Sequence, residues 1–83
     1  MNKTVLIIDD DDMLRKTLAR GLRDNGFNVL TAPSAEEGDK ILAHVIADAI
    51  VLDRMMAGRD GLTFLRDLRA RGVMIPVIML TAM

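Results

Sequence analysis

Val5-Leu6-Ile7-Ile8-Asp9-Asp10 is a run of branched apolar residues that stops abruptly at two carboxylates. Two later stretches repeat the arrangement: Ala49-Ile50-Val51-Leu52 stops at Asp53, and Val77-Ile78-Met79-Leu80 stops at Thr81. Short apolar runs rich in β-branched residues read as strands buried on both faces of a parallel sheet. Ligands of open parallel sheets bind outside the carboxyl ends of the strands. The three runs therefore predict a rim where Asp9, Asp10, Asp53 and the Thr81 hydroxyl meet.

Between these runs the apolar period changes from strand to helix. Residues 12–24 place Leu14, Leu18, Gly21 and Leu22 on one face, with Asp11 or Asp12 as N-cap and Gly26 as terminator. Residues 27–32 read as a second strand. Ser34-Ala35-Glu36-Glu37 is a capping box that opens a helix carrying Ile41, Leu42 and Val45. After Asp53, residues 57–61 (Ala-Gly-Arg-Asp-Gly) read as a turn, and residues 62–71 as a helix burying Leu62, Leu65 and Leu68, closed by Gly72. A fourth strand spans 75–80, with Pro76 tolerated near its start. The order is β-α-β-α-β-α-β, an α/β domain without repeats or internal boundary.

Composition narrows the class. The chain has 83 residues, 51% of them hydrophobic, and a net charge of −1, which suits one small globular domain. The charge balance predicts no nucleic-acid binding. There is no cysteine, hence no disulfide, thiol chemistry or zinc-thiolate site. No apolar stretch approaches the roughly 18 residues of a membrane span, and the Asn2-Lys3 start leads directly into a strand rather than a signal peptide. A cytoplasmic protein is the expectation.

With strand order 2-1-3-4, right-handed crossovers put the first helix on one face and the next two on the other. The chain then reverses between the first and third strands, and a crevice opens at their C-terminal ends, beside Asp9, Asp10 and Asp53. Three carboxylates that close repel one another unless a proton or a cation neutralises them. Oxygen is the only donor type there, which selects a hard ion such as Mg²⁺ or Mn²⁺. A carboxylate beside such an ion, with a hydroxyl at the next strand end, suits in-line phosphoryl transfer onto the carboxylate.

Three motifs in order at compatible spacing resemble the receiver domain of bacterial two-component response regulators: Val5-Leu6-Ile7-Ile8-Asp9-Asp10, then Leu52-Asp53-Arg54-Met55-Met56 followed by Asp60-Gly61, then Pro76-Val77-Ile78-Met79-Leu80-Thr81-Ala82. The resemblance runs from Lys3 to Met83. It implies a flavodoxin-like doubly wound parallel sheet of order 2-1-3-4. It implies Asp53 as phosphoacceptor, Thr81 as switch residue, and Asp9, Asp10, Asp53 and the backbone carbonyl of Met55 as the Mg²⁺ shell. A histidine kinase is the implied phosphodonor. Met55 and Met83, two residues past Asp53 and Thr81, would flank the path of hydrolytic water and slow the loss of phosphate.

Residues 1–83 depart from the receiver pattern in two places. Ala57 stands where the family usually has Pro, which should loosen the loop after Asp53. The chain also stops at Met83, so the domain is expected to be C-terminally truncated, with the fifth strand, its Lys and the last two helices missing. The fourth strand then becomes an edge and the first helix loses a flanking neighbour, which predicts a homodimer through strand 4 or the uncovered helix faces.

Taken singly, each feature has an ordinary role. Asp9–Asp12 is a charge cluster at a helix entry, Asp53 a turn residue and Thr81 a β-former; Arg66, Arg69 and Arg71 suit the end of a helix, His44 a solvated position, and Met13, Met74 and Met79 the core. Two other functions compete with the phosphoacceptor reading. One is a non-phosphorylatable receiver that acts only as an oligomerising scaffold. The other is a haloacid-dehalogenase-like phosphohydrolase fragment, for which Asp9-x-Asp11 supplies the motif and Asp9 the nucleophile, leaving Asp53 without a role.

Overall fold

The computed structural model describes residues 2–80. Strands β1 (Thr4–Ile8), β2 (Asn28–Ala32), β3 (Ala49–Asp53) and β4 (Val77–Leu80) alternate with helices α1 (Asp12–Asp24), α2 (Ala35–Leu42) and α3 (Gly61–Ala70). All strand pairings are parallel, in the order β2-β1-β3-β4. The apolar runs form the strands of a parallel sheet as expected, and the order is the doubly wound, flavodoxin-like one that the resemblance implies. The register pairs Ile8 with Leu52 and Asp53 with Leu80, so β1, β3 and β4 end close to one level.

Alternation along the strands divides the apolar side chains between two layers. Leu6, Ile8, Ala32, Ile50 and Leu52 pack with Phe64 and Leu68 of α3 and Ala35 of α2. On the opposite face Val5, Ile7 and Val29 pack with Ala19, and Leu18 and Leu22 of α1 complete the layer. One helix on one face and two on the other is the outcome expected from right-handed crossovers when the chain reverses after β2.

Local chemistry sets the helix boundaries. Asp11, Ser34 and Asp60 each cap a helix by accepting the N–H three residues on, from Leu14, Glu37 and Thr63. Pro76 lies just before β4, where its missing N–H costs no ladder bond, and its carbonyl still accepts from the Ile50 N–H at 2.9 Å.

Several packing expectations are corrected. Phe64, not Leu62, is the buried anchor of α3; Leu62 is 37% exposed because it lies on the first turn, away from the sheet. Met13 and Met74 are exposed, since one sits on the outer face of α1 and the other in the loop before β4, while Met56 takes the buried place. Leu14 is also exposed, and the smaller Ala19 closes the contact of α1 with the sheet. Val45 falls outside α2, which ends at Leu42.

Among the described residues β4 pairs only with β3. On the α1 side its Ile78, registered beside Val51, is 59% exposed, because α1 lies mainly over β1 and β2.

Phe64 is fully buried between the sheet and α2, so its removal tests the larger core layer. Phe64→Ala is expected to cost about 3–5 kcal/mol, most of the stability of a domain this small. Urea denaturation should show a lost or severely weakened transition, whereas Phe64→Leu should lose far less.

Candidate functional site

The C-terminal ends of β1 and β3 bring Asp9, Asp10 and Asp53 together, with one carboxylate oxygen of each within 4.8 Å of the others. They line an open cleft of about 330 Å³ with Asp11, Leu14, Met55 and Leu80. The separation follows from register: Asp9 comes directly after Ile8, and Ile8 pairs with Leu52, the neighbour of Asp53. Thr81 and Met83 lie outside the described residues.

Exposure differs across the cluster. Asp9 is 1% exposed, Asp53 is half-buried and Asp10 is exposed. Asp9 is held from several directions. Its N–H donates to the Ala32 carbonyl at 3.1 Å, its Oδ1 accepts the Asp11 N–H at 2.8 Å, and its carbonyl accepts from the Arg15 guanidinium at 2.8 Å. Its Oδ2 is buried and has no hydrogen-bond partner among the described residues. Asp53 Oδ1 accepts the Met55 N–H at 3.0 Å, and Asp10 Oδ2 accepts the Ala57 N–H at 3.1 Å.

The electrostatics follow from this crowding. Burial pushes the Asp9 carboxyl above its ordinary range; the Asp11 N–H opposes the shift, and the charges of Asp53, Asp10 and Asp11 add to it. Two unit charges at such a separation repel by about 3 kcal/mol at an effective dielectric of ~20, and by less where water reaches Asp10. A cation removes that repulsion. The donor set suits a hard divalent ion: all carboxylate oxygen, and the buried, unpartnered Asp9 Oδ2 is an acceptor that such an ion would satisfy.

The loop after Asp53 is tied down at several points. Gly61 N–H donates to the Arg54 carbonyl at 3.0 Å, and a Cβ on Gly61 would strike the Asp53 carbonyl oxygen and lie 2.9 Å from the Arg54 Cα. Only glycine lets α3 start so close to the backbone of Asp53. Arg59 reaches Asp39 on α2 at 2.5 Å and Asp67 on α3 at 3.3 Å, with its guanidinium 5.1 Å from the centre of the Phe64 ring. With these ties and the Ala57 N–H on Asp10, the loop is braced where the sequence predicts loosening.

Comparison with known proteins places this cleft in a family. The sequence model of the response regulator receiver domain matches residues 5–83. Response regulator MprA of Mycobacterium sp. (strain KMS) is 41% identical over 78 residues, which cover 94% of this chain and 34% of that protein. The chain thus spans about a third of the length of the curated relatives it matches. Among solved structures, the receiver domain of Francisella response regulator 1452 superposes with a TM-score of 0.94 at 32% identity, covering 99% of this chain and 68% of that one. The chemotaxis protein CheY4 of Vibrio cholerae superposes with a TM-score of 0.94 at 27% identity, covering 100% of this chain and 71% of that one.

The raised pKa of Asp9 has a definite sign. The native state holds this proton more tightly than the unfolded chain, so stability is lost as pH rises from the ordinary carboxyl value of 3.8 through the native one. Mg²⁺ should return that stability, and its effect on the melting temperature is expected to be larger at neutral than at acidic pH. Asp9→Asn, which removes the buried charge, should raise the melting temperature of the metal-free protein at neutral pH and reduce any Mg²⁺ effect. Differential scanning fluorimetry with and without Mg²⁺ checks both.

Proposed function

The chain belongs to the response regulator receiver-domain family, and from that premise we propose that residues 1–83 form one receiver unit that takes a phosphoryl group from a histidine kinase onto Asp53. The observation that carries this reading is the graded exposure of the cleft. Asp9 is too buried to meet a donor, whereas Asp53 is half-buried at the cleft and has one oxygen held by the Met55 N–H. Its other oxygen is the nucleophile. It forms the new P–O bond as the P–N bond of the donor phosphohistidine breaks, and the leaving imidazole takes a proton from solvent.

Asp9, Asp10 and Asp53, with the Met55 backbone carbonyl, are the proposed ligands of Mg²⁺ or Mn²⁺. Such an ion supplies charge that offsets the repulsion between the nucleophile and an anionic donor. The protein contributes the arrangement: Asp9 buried as a fixed anchor, Asp10 tied to the loop, Asp53 oriented by its own turn. Thr81 follows Leu80, the register partner of Asp53, which supports its role as the switch hydroxyl that contacts the phosphoryl group. Met55 lines the cleft, which supports slow loss of phosphate by limiting the approach of water. None of the helices is long and apolar enough to cross a membrane, among the described residues, and a cytoplasmic site of action is proposed.

The convergence of Asp53 with Asp9 and Asp10 in one cleft disfavours the phosphohydrolase alternative, which gives Asp53 no role. Self-association is proposed for the 83-residue chain through the β4 edge and the face carrying Ile78. Light scattering should show a mass that rises with concentration and falls in Ile78→Lys.

Intact-mass measurement after incubation with Mg²⁺ and a small-molecule phosphodonor tests the central proposal. One phosphoryl group should be gained, and the gain should vanish in Asp53→Asn. A folded protein that gains none would support the scaffold alternative; a gain lost in Asp9→Asn but kept in Asp53→Asn would support the phosphohydrolase.

A further inference from the structure

Met55 and Met56 are adjacent in sequence and opposite in surroundings. Met56 is 8% exposed and belongs to the larger core layer, whereas Met55 is 66% exposed and lines the acidic cleft. The Met55 N–H donates to Asp53 Oδ1 at 3.0 Å, so a short stretch of backbone tethers this thioether beside the carboxylate. Met13 and Met74 are exposed as well, but neither lines the cleft.

We propose that Met55 is a modification site, at which oxidation by a peroxide to the sulfoxide shortens the lifetime of the phosphoryl group on Asp53. The proposal rests on the phosphoacceptor reading of the cleft. In the covalent step a sulfur lone pair forms an S–O bond as the O–O bond of hydrogen peroxide breaks; the departing hydroxide takes the remaining peroxide proton and leaves as water. The sulfur is oxidised by two electrons and the peroxide reduced by two. Hydrogen peroxide is uncharged, so the carboxylates of Asp9, Asp10 and Asp53 do not exclude it from the cleft. Exposure makes the Met55 sulfur reachable, and burial protects the sulfur of Met56.

Oxidation changes polarity at a fixed position. A thioether is apolar and its sulfur a weak acceptor; a sulfoxide carries a polar oxygen that accepts hydrogen bonds from water. The unmodified side chain limits the approach of water to the cleft. The sulfoxide oxygen instead holds a water beside the phosphoryl group, where its attack on phosphorus releases inorganic phosphate and restores the Asp53 carboxylate. The backbone carbonyl of Met55, the proposed metal ligand, is untouched by the reaction. Mg²⁺ affinity is therefore retained while the phosphate lifetime falls, a separation that general damage to the cleft would not produce.

The test treats the full chain with hydrogen peroxide, locates the sulfoxides by peptide mass mapping, and follows loss of phosphate by intact mass after loading from a small-molecule phosphodonor. Met55 should oxidise faster than Met56. The phosphate lifetime should fall by about 2- to 10-fold, the range that one added hydrogen bond to the attacking water corresponds to. Methionine sulfoxide reductases acting on both sulfoxide epimers should restore it. Met55→Leu, whatever its own lifetime, should show the same value before and after peroxide. Equal oxidation of Met56 and Met55 overturns the proposal, as does an unchanged or longer lifetime in the oxidised protein. A response that persists in Met55→Leu overturns it too, by assigning the effect to another methionine, and so does a loss of Mg²⁺ affinity on oxidation. An untreated protein that gains no phosphoryl group overturns the phosphoacceptor reading itself, an outcome distinct from all of these.

Discussion

A carboxylate buried at the end of a central strand is the constraint around which this domain is arranged. Asp9 follows four buried apolar residues and is itself almost inaccessible, so its charge must be met inside the protein or neutralised. Nearby groups meet it only in part. One bond reaches the carboxylate, from the Asp11 N–H to Oδ1, while Oδ2 has no described partner; the Ala32 carbonyl and the Arg15 guanidinium bond the Asp9 backbone and fix its position without meeting the charge. Two more carboxylates then arrive from Asp10 and Asp53. A buried acceptor without a partner costs on the order of 1–3 kcal/mol, a sizeable fraction of what an 83-residue domain can hold. A structural role would be filled better by an apolar residue, so the burial of Asp9 fits a cleft whose acidic cluster could hold a cation.

The rest of the cleft depends on how closely the backbone of the β3–α3 loop can approach this centre. Gly61 makes the approach possible by omitting a Cβ that would strike the Asp53 carbonyl. Asp60 caps α3 through the Thr63 N–H, and that bond lowers its own pKa, so the start of the helix is anchored immediately before the glycine. Arg59 then links the loop to both helices of that face through Asp39 and Asp67. These ion pairs are partly exposed, and singly each contributes little to stability. Their consequence is geometric: they fix where the loop backbone, and hence its N–H groups, lie relative to the carboxylates.

The architecture was legible in the sequence because its signals are of the kind that survive without coordinates. Apolar runs of strand length, an Asp or Ser at each helix entry and a turn glycine mark the elements; the order 2-1-3-4, implied by the family resemblance rather than by these local signals, is the observed one. The gathering of Asp9, Asp10 and Asp53 was legible for the same reason, since strand ends in a parallel sheet lie at one level. What escaped were facts of packing. Leu62 and Phe64 are only two apart, and which of them faces the sheet depends on where the helix starts; it starts at Gly61, which turns Phe64 inward. Arg59 on Asp39 and Ala57 on Asp10 escaped because a contact between distant segments leaves no local pattern; Arg15 on the Asp9 carbonyl, six residues away, escaped because it bonds a backbone group outside the helix and follows no helical spacing.

The unequal exposure of the three carboxylates bears on how such a site can act. Were all three buried, their repulsion would prevent folding without metal; were all three exposed, water would screen them and their affinity for a hard ion would be weak. The observed gradient separates the requirements. Asp9 supplies an anchor that cannot move away, Asp53 remains reachable from the cleft, and Asp10 lies at the solvent edge, where its carboxylate accepts the Ala57 N–H. A change at the cleft that alters the charge on Asp53 is therefore felt by a buried group that cannot turn away and by a loop fastened to α2 and α3. The contacts of that loop with Asp39 and Asp67 therefore place the cleft and the two helices of this face in one connected set of side chains.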